Sequence, residues 1–266
     1  MYWTNNISEI IFLALIYVLE YFFPLFTRRE NRLEHSFRNA SLRVLNLILL
    51  RVLFVHLLVI DVRWAREHAV GLLYQVPFPA WAKLLAGLML YDLWMYLFHR
   101  ACHKIPFLWR FHRIHHSDTE VDVTTAFRFH VGETVIMGIL SRLAVIPLLG
   151  LTFQHLILYE LIQQPVNLFH HSNLAWPEKW DRIMRLFLVS PNMHRVHHSQ
   201  WRPETNSNYS ILFPWWDHVG GTFRLHENLK TIKYGLSEFM DPSWQTIRGM
   251  LKMPLAPLYP PKLKAH

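Results

Sequence analysis

Residues 42–60 read LRVLNLILLRVLFVHLLVI, nineteen residues in all. An α-helix of that length crosses a hydrocarbon core of about 30 Å. The run is not clean. Arg43, Asn46, Arg51 and His56 interrupt it, and a buried helix of a soluble protein can carry the same pattern. Comparable runs elsewhere decide between the two. They stand at 10–26 (IIFLALIYVLEYFFPLF), 81–98 (WAKLLAGLMLYDLWMYLF), 134–151 (TVIMGILSRLAVIPLLGL) and 152–170 (TFQHLILYELIQQPVNLFH). Five such segments in a chain with 9 glycines favour a membrane bundle. The expected class is an all-α integral membrane protein with four to five transmembrane helices.

Composition agrees. The chain is 52% hydrophobic and 15% aromatic, too apolar for disorder. The single cysteine, Cys102, excludes an internal disulfide framework. The opening MYWTNNISEI has no Lys or Arg before the apolar run, so no cleaved signal peptide is expected. Net charge is +8. Basicity points to nucleic acid or to membrane orientation. No zinc knuckle, RNA-binding signature or helix-turn-helix is found, so no nucleic-acid partner is expected. The cations sort by segment. Arg28, Arg29, Arg32 and Arg38 lie in 27–41, which reads as a loop between two apolar runs, and Arg100, Lys104, Arg110, Arg113 and Arg128 lie in 99–133. Arg63 and Arg66 in 61–80 are balanced by Asp61 and Glu67. The positive-inside bias then makes 27–41 and 99–133 cytoplasmic, with the chain returning there by His170 after a turn near Gly150.

The histidines gather on that same side. WRFHRIHHS at 109–117 contains H-R-I-H-H-S, and HRVHHS stands at 194–199. Histidine fills 18 of 266 positions. At that frequency H-x-x-H-H should occur about 0.1 times by chance, so two copies mark a geometry needed twice. His99 and His103 share a helix face, and in H-x-x-H-H the first His shares a face with both of the last two. The sets His99/His103, His112/His115/His116 and His194/His197/His198 could together hold two metal ions. Imidazole suits Fe, Zn, Cu and Ni alike. His35, His56, His68, His155, His226 and His266 read as ordinary core or surface residues. H-E-x-x-H and G-x-S-x-G are both absent, which argues against a metalloprotease and an esterase.

HRACH, WRFHRIHHS, FHHSN, SPNMHRVHHS and NSNYSILFPWWDHVGGTF together resemble the fatty acid hydroxylase/sterol desaturase superfamily, over about residues 85–225. The wording is nearest its sterol desaturase and alkylglycerol monooxygenase-like branch. The resemblance implies a membrane-bound lipid hydroxylase or desaturase. Two Fe ions would be held by histidines, with O2 as co-substrate and an apolar lipid as substrate. Electrons would come from a separate donor protein or reductant.

It also implies a division into N-terminal transmembrane helices (1–80), a catalytic domain (81–225) and a C-terminal tail (226–266) whose end, 254–266, reads as loose. The family's single middle His falls on His170 or His171, and HSN at 171–173 favours His171. Asn167, four residues earlier, shares its face and is expected to point into the site, unless it only caps the helix end. Asp92, seven residues before His99, is a candidate to hold a ligand histidine, as are Asp118, Glu120, Asp122 and Asp217. His130 and Glu133 read as outer partners or substrate edge. A histidine-lined metal transporter is the alternative, but it would place its ligands near the bilayer midplane on broken helices. A noncatalytic relative is a third reading, against which both intact motifs stand.

Overall fold

A computed structural model describes residues 7–28 and 30–258; residues 1–6, Arg29 and 259–266, with His266, lie outside the described residues. Among the described residues the chain is helical throughout. Its nearest approach to a strand is an isolated antiparallel bridge, Pro24 to Leu174.

Every apolar run lies on helix. The first is α1 (Ile7–Phe22), which stops before Pro24. The second lies inside α2 (Arg32–Glu67). A one-turn α3 (Leu72–Gln75) precedes α4 (Ala80–Lys104), which carries the third, and α5 (Pro106–His116) follows it. The fourth is α6 (Val131–Leu140), a π-helical turn at Ser141–Val145, and α7 (Ile146–Leu149). The fifth is α8 (Phe153–His171). Gly150 turns the chain between the last two with φ 71°, a left-handed conformation that glycine adopts without penalty. Two helical stretches, Arg32–Gln75 and Val131–Leu149, are long and apolar enough to cross a membrane.

The region 27–41 was expected to be a loop, and most of it is helix. Asn31 caps α2, its side chain accepting from Leu33 N (3.0 Å) and Glu34 N (3.4 Å). No Gly or Pro follows until after Glu67, so nothing stops the helix for 36 residues, about 54 Å. Its buried residues His35, Asn39, Leu42, Asn46, Leu50, Phe54, Leu58, Val62 and Ala65 form one stripe at spacings of three and four. The opposite face exposes Val44, Ile48, Val52 and Ile60, the surface a helix turns toward hydrocarbon.

α8 lies at the centre, packed on α1, α4 and the turn Val123–Phe127. It meets α4 at Gly87, where a Cβ would stand 2.1 Å from the His155 ring. That contact fixes the crossing of the two helices whose C-terminal ends carry His99, His103 and His171. An apolar core of Leu58, Leu88, Tyr91, Met95, Ile146 and Tyr159 joins α2, α4, α7 and α8 below this level.

Above it lies a buried polar layer. His35 Nε2 is 2.8 Å from Asp118 and its Nδ1 is 3.4 Å from Asp122. Burial opposes a charge on His35, but the two carboxylates win and push it up to about 10, so it is an imidazolium at neutral pH. Arg28 pairs with Asp122, and Arg32 with Glu20 at 3.0 Å.

The C-terminal segment is not loose as far as it is described. Arg113, 1% exposed, donates to the carbonyls of Met253, Ala256 (2.7 Å) and Pro257 (3.1 Å), and Arg110 to those of Pro254 (3.0 Å) and Ala256 (3.1 Å). Two guanidiniums on α5 therefore pin residues that the proline-rich sequence marks as a tail.

Candidate metal centre

α4 and α8 end at one level, where α5 and, after α9 (Glu178–Met184), a short α10 (Pro191–His197) close over them. Ser190 caps α10 by accepting from Met193 N, and Pro191 occupies the first turn, where its missing N–H costs nothing. Nine imidazoles meet here in two groups. The first is His99, His103, His112, His116 and His197; the second is His115, His171, His194 and His198. Within each group, one ligand atom per residue lies within 4.8 Å of all the others.

The spacing test is tighter for the Nε2 atoms. His99 and His112 are 3.1 Å apart, His115 and His171 3.2 Å, His171 and His194 2.9 Å, and His194 and His198 3.1 Å. Nitrogens about 2.1 Å from a shared metal sit roughly 3.0–3.4 Å from one another at octahedral to tetrahedral angles. The donor set therefore fits one metal ion in each group.

The outer ring nitrogens support the same orientation. Nδ1–H donates to Tyr209 O from His99 (2.7 Å), to Glu133 from His112 (2.9 Å), to Asn167 O from His171 (2.8 Å) and to Ser207 O from His197 (2.7 Å). These bonds fix the tautomer and leave the Nε2 lone pairs facing inward. Burial, then the neighbouring imidazoles, holds His115, His116, His197 and His198 well below the usual histidine value. They are neutral, the form that ligates.

The groups do not follow the motifs. In the first H-x-x-H-H, His112 and His116 join one group while His115 joins the other. In the second, His194 and His198 join the second group and His197 crosses to the first. Positions i and i+4 share a face, whereas adjacent residues point about 100° apart. Each motif thus gives two ligands to one site and one to its neighbour, with the assignment exchanged. The expectation that each triad acts as a set is corrected in this way.

His171 is in the second group, while His170, 0% exposed, only packs its ring 4.1 Å from that of His194. Asn167 gives its carbonyl to His171 and lines a small cavity between the groups. Asp92 reaches no histidine in the group. Its oxygens accept from Tyr159 Oη (2.6 Å), Phe213 N (3.1 Å) and Trp216 Nε1 (2.8 Å), which ties α4 to α8 and to the cap. The expectation that it holds a ligand is thereby corrected: its place beside His99 is taken by the Tyr209 carbonyl. Asp217 acts one step away, accepting from Tyr209 N (2.8 Å) and Ser210 N (2.9 Å) and so holding that carbonyl in place. Asp118 and Asp122 serve the layer around His35, and Glu120 accepts from Glu30 N at 3.1 Å. His130 caps α6 by accepting from Gly132 N at 2.9 Å.

The cavity measures about 50 Å³. His99, His112, His115, His171, His194, Glu133, Thr134 and Asn167 form its polar wall; Met95, Phe98, Phe129, Met137 and Ile211 form the apolar one. It has room for a few water-sized molecules beside both groups.

Curated relatives are similar to the chain over part of its length. The chain is 30% identical to an ornithine lipid hydroxylase of Rhizobium tropici over 53% of its own length and 41% of the relative's. It is 30% identical to the alkylglycerol monooxygenase of Homo sapiens over 65% of its length and 36% of the relative's. To the cholesterol 25-hydroxylase of Homo sapiens it is 26% identical over 53% and 51%. The chain thus spans about half or less of the curated relatives it matches. No solved structure is significantly similar to it. The family model described as fatty acid hydroxylase matches residues 84–222, from two turns before Asp92 to the end of the loop that Asp217 organises. More than half of the chain lies within that match, and it belongs to the fatty acid hydroxylase family.

Proposed function

We propose that the chain is a membrane-embedded, O2-dependent lipid oxygenase whose nine histidines hold two iron ions. The observation that carries this reading is the pair of histidine groups, five and four imidazoles, with ligand atoms within 4.8 Å of one another in each and Nε2 atoms about 3 Å apart for His99/His112 and along the second group. Bound there, iron supplies the power to activate O2 and attack an unactivated C–H bond. For a hydroxylation, one lipid C–H, O2, two electrons and two protons give the alcohol and water; desaturation breaks two C–H bonds on adjacent carbons and, with the same O2, electrons and protons, gives the alkene and two waters. The electrons come from a separate donor.

The chain's own groups do the rest. Glu133 holds the His112 tautomer. The Tyr209 and Ser207 carbonyls do so for His99 and His197. Met95, Phe98, Phe129, Met137 and Ile211 keep bulk water from the reacting bond and offer an alkyl chain its apolar contacts. The cavity must widen to admit a lipid, and Met95 and Met137 are flexible enough to move aside. The five apolar runs read as four to five membrane crossings, with the histidine-bearing cap on the cytoplasmic face. The metal-transporter alternative has no support: the relatives bear the names of hydroxylases and monooxygenases, and the histidines gather at the C-terminal ends of helices.

The experiment is a comparison of lipid extracts from cells with and without the chain, read by mass. A lipid gaining one oxygen, or losing two hydrogens, only when the chain is present supports the reading; unchanged extracts alongside iron-free purified protein oppose it. Glu133 offers a second test. Glu133→Ala removes the acceptor that orients His112 and should weaken metal binding by roughly 10–100-fold in a chelator competition. Glu133→Gln keeps an acceptor oxygen and should lose less. Equal, full-strength binding in both would show that the Glu133 bond does not orient a ligand.

A further inference from the structure

We propose that the basic face around the C-terminal end of α4 is the docking surface for an acidic electron-carrying protein. The proposal rests on the oxygenase reading, which requires two electrons per turnover from outside the chain.

Of the nine clustered histidines, His103 alone is partly exposed, with both ring nitrogens buried; the other eight are buried. The first metal group therefore comes nearest to solvent at the edge of the His103 ring. Cations surround that edge. Lys104 is exposed beside it, and Arg100 reaches Tyr96 Oη at 3.4 Å. Tyr96 Oη in turn lies 3.1 Å from Thr222 Oγ1, which brings exposed Arg224 alongside, its guanidinium 5.8 Å over the Trp201 ring. Exposed Arg202 starts the turn whose continuation supplies the Ser207 and Tyr209 carbonyls to His197 and His99. Glu204 is buried and bonded to His226 at 2.6 Å, and Asp217 is buried beneath Thr222, so neither offsets these charges at the surface; the exposed acid on the segment after Arg224 is Glu227. Trp201, 57% exposed, supplies an apolar centre of the kind protein interfaces favour. A short aromatic path leads inward: Tyr96 to Tyr209 at 6.4 Å, then Tyr209 to His103 at 5.0 Å.

Lipid headgroups are the other anionic occupant for such a face, and its position disfavours them. α4 serves as a depth scale. At the level of Asp92 it meets Phe213 and Trp216, and Trp215 Nε1 bonds Leu186 O at 2.7 Å. That edge of the cap exposes Trp180, Ile183, Leu186 and Phe187 and is fit to rest on the membrane. His103 lies eleven residues further along α4, about 16 Å away at 1.5 Å per residue. The basic face thus runs outward from the level of Tyr96, four residues or about 6 Å beyond Asp92, to that of His103, and steers an acidic protein toward the histidines from the side away from the bilayer.

The test uses the full chain in nanodiscs of neutral phosphatidylcholine and, as probe, a plant-type [2Fe–2S] ferredoxin, a small acidic electron carrier. The unaltered chain should bind it with an affinity that falls steeply as salt rises. Arg202→Glu combined with Arg224→Glu should weaken binding by at least about tenfold. Lys179→Glu with Arg182→Glu, on the membrane-facing edge, should leave it unchanged. Reduction by methyl viologen, which needs no docking, should match in all variants. Binding insensitive to salt, or equally tight in the Arg202/Arg224 variant, would overturn the proposal. So would a double variant that keeps ferredoxin binding and loses only adhesion to anionic vesicles. Binding is read without turnover, so a chain that docks ferredoxin yet oxidises no lipid would sink the oxygenase reading and leave this surface standing.

Discussion

His171→Ala is expected to remove metal from the second group and to reduce lipid turnover by more than about 100-fold, beyond the loss from disturbing an outer partner. His170→Ala, one residue earlier, should keep both metals and most of the turnover. The two imidazoles are adjacent in sequence and both buried, so hydrophobicity and exposure do not separate them. Direction does. His171 Nε2 is 2.9 Å from His194 Nε2 and 3.2 Å from His115 Nε2, and its Nδ1–H is fixed on Asn167 O at 2.8 Å. His170 points about 100° away around α8 and offers the site only ring contact with His194. Iron per chain, measured beside product yield, keeps ligand loss distinct from misfolding. Equal loss in both variants, or loss at His170 alone, would show that the second group is not the one described.

Why one chain spells H-R-x-H-H-S twice has an answer in the exchanged assignment of the two motifs. α5 and α10 face each other across the paired groups, with His116 and His197 ring centres 4.6 Å apart and those of His115 and His198 4.5 Å apart. A helix with imidazoles at i, i+3 and i+4 can serve one centre with two and its neighbour with one. Two such helices, facing, complete both. The residue types and spacing made eight of the nine histidines legible in the sequence, because 3.6 residues per turn is a local rule; His171 was legible only through the family resemblance. Their sorting into five and four was not legible, since it depends on how α5 and α10 are placed by distant contacts.

The outer partners were the harder part for the same reason. Three of the four fixed Nδ1 bonds end on the backbone carbonyls of Asn167, Ser207 and Tyr209, which no side-chain pattern announces. Asp92 offered a carboxylate at helical spacing from His99, yet Tyr159, Phe213 and Trp216 claim it across more than sixty residues of sequence. The length of α2 was readable in the absence of Gly and Pro, but its arginines suggested a loop. Three of them pair with acids outside the helix: Arg32 with Glu20, Arg38 with Glu30 and Arg43 with Glu9.

Arg128→Met should destabilise the chain by about 3–5 kcal/mol, the cost of breaking a buried charge network from one side. Arg128 is 0% exposed and donates four ways: to Ile114 O (3.0 Å), Asn39 Oδ1 (3.2 Å), Ser117 Oγ (3.1 Å) and Gln245 Oε1 (2.6 Å). Those acceptors come from α2, from the segment that carries His115 and His116, and from the C-terminal region. Methionine fills the space but satisfies none of them, and each buried acceptor left bare costs roughly 1–3 kcal/mol. It also removes one of the two cations beside Asp118, leaving the His35 imidazolium at 2.8 Å to hold that carboxylate. Arg128→Lys keeps the charge, but a compact ammonium cannot span four acceptors set out for a planar fork, so it should recover only part of the loss. Thermal unfolding followed by tryptophan fluorescence should show the Met variant melting roughly 10 °C lower, with Lys between. A Met variant that melts with the unaltered chain would mean that water or a rearranged Gln245 can replace the guanidinium, and that the loop behind the first histidine motif is held by the His35 layer alone.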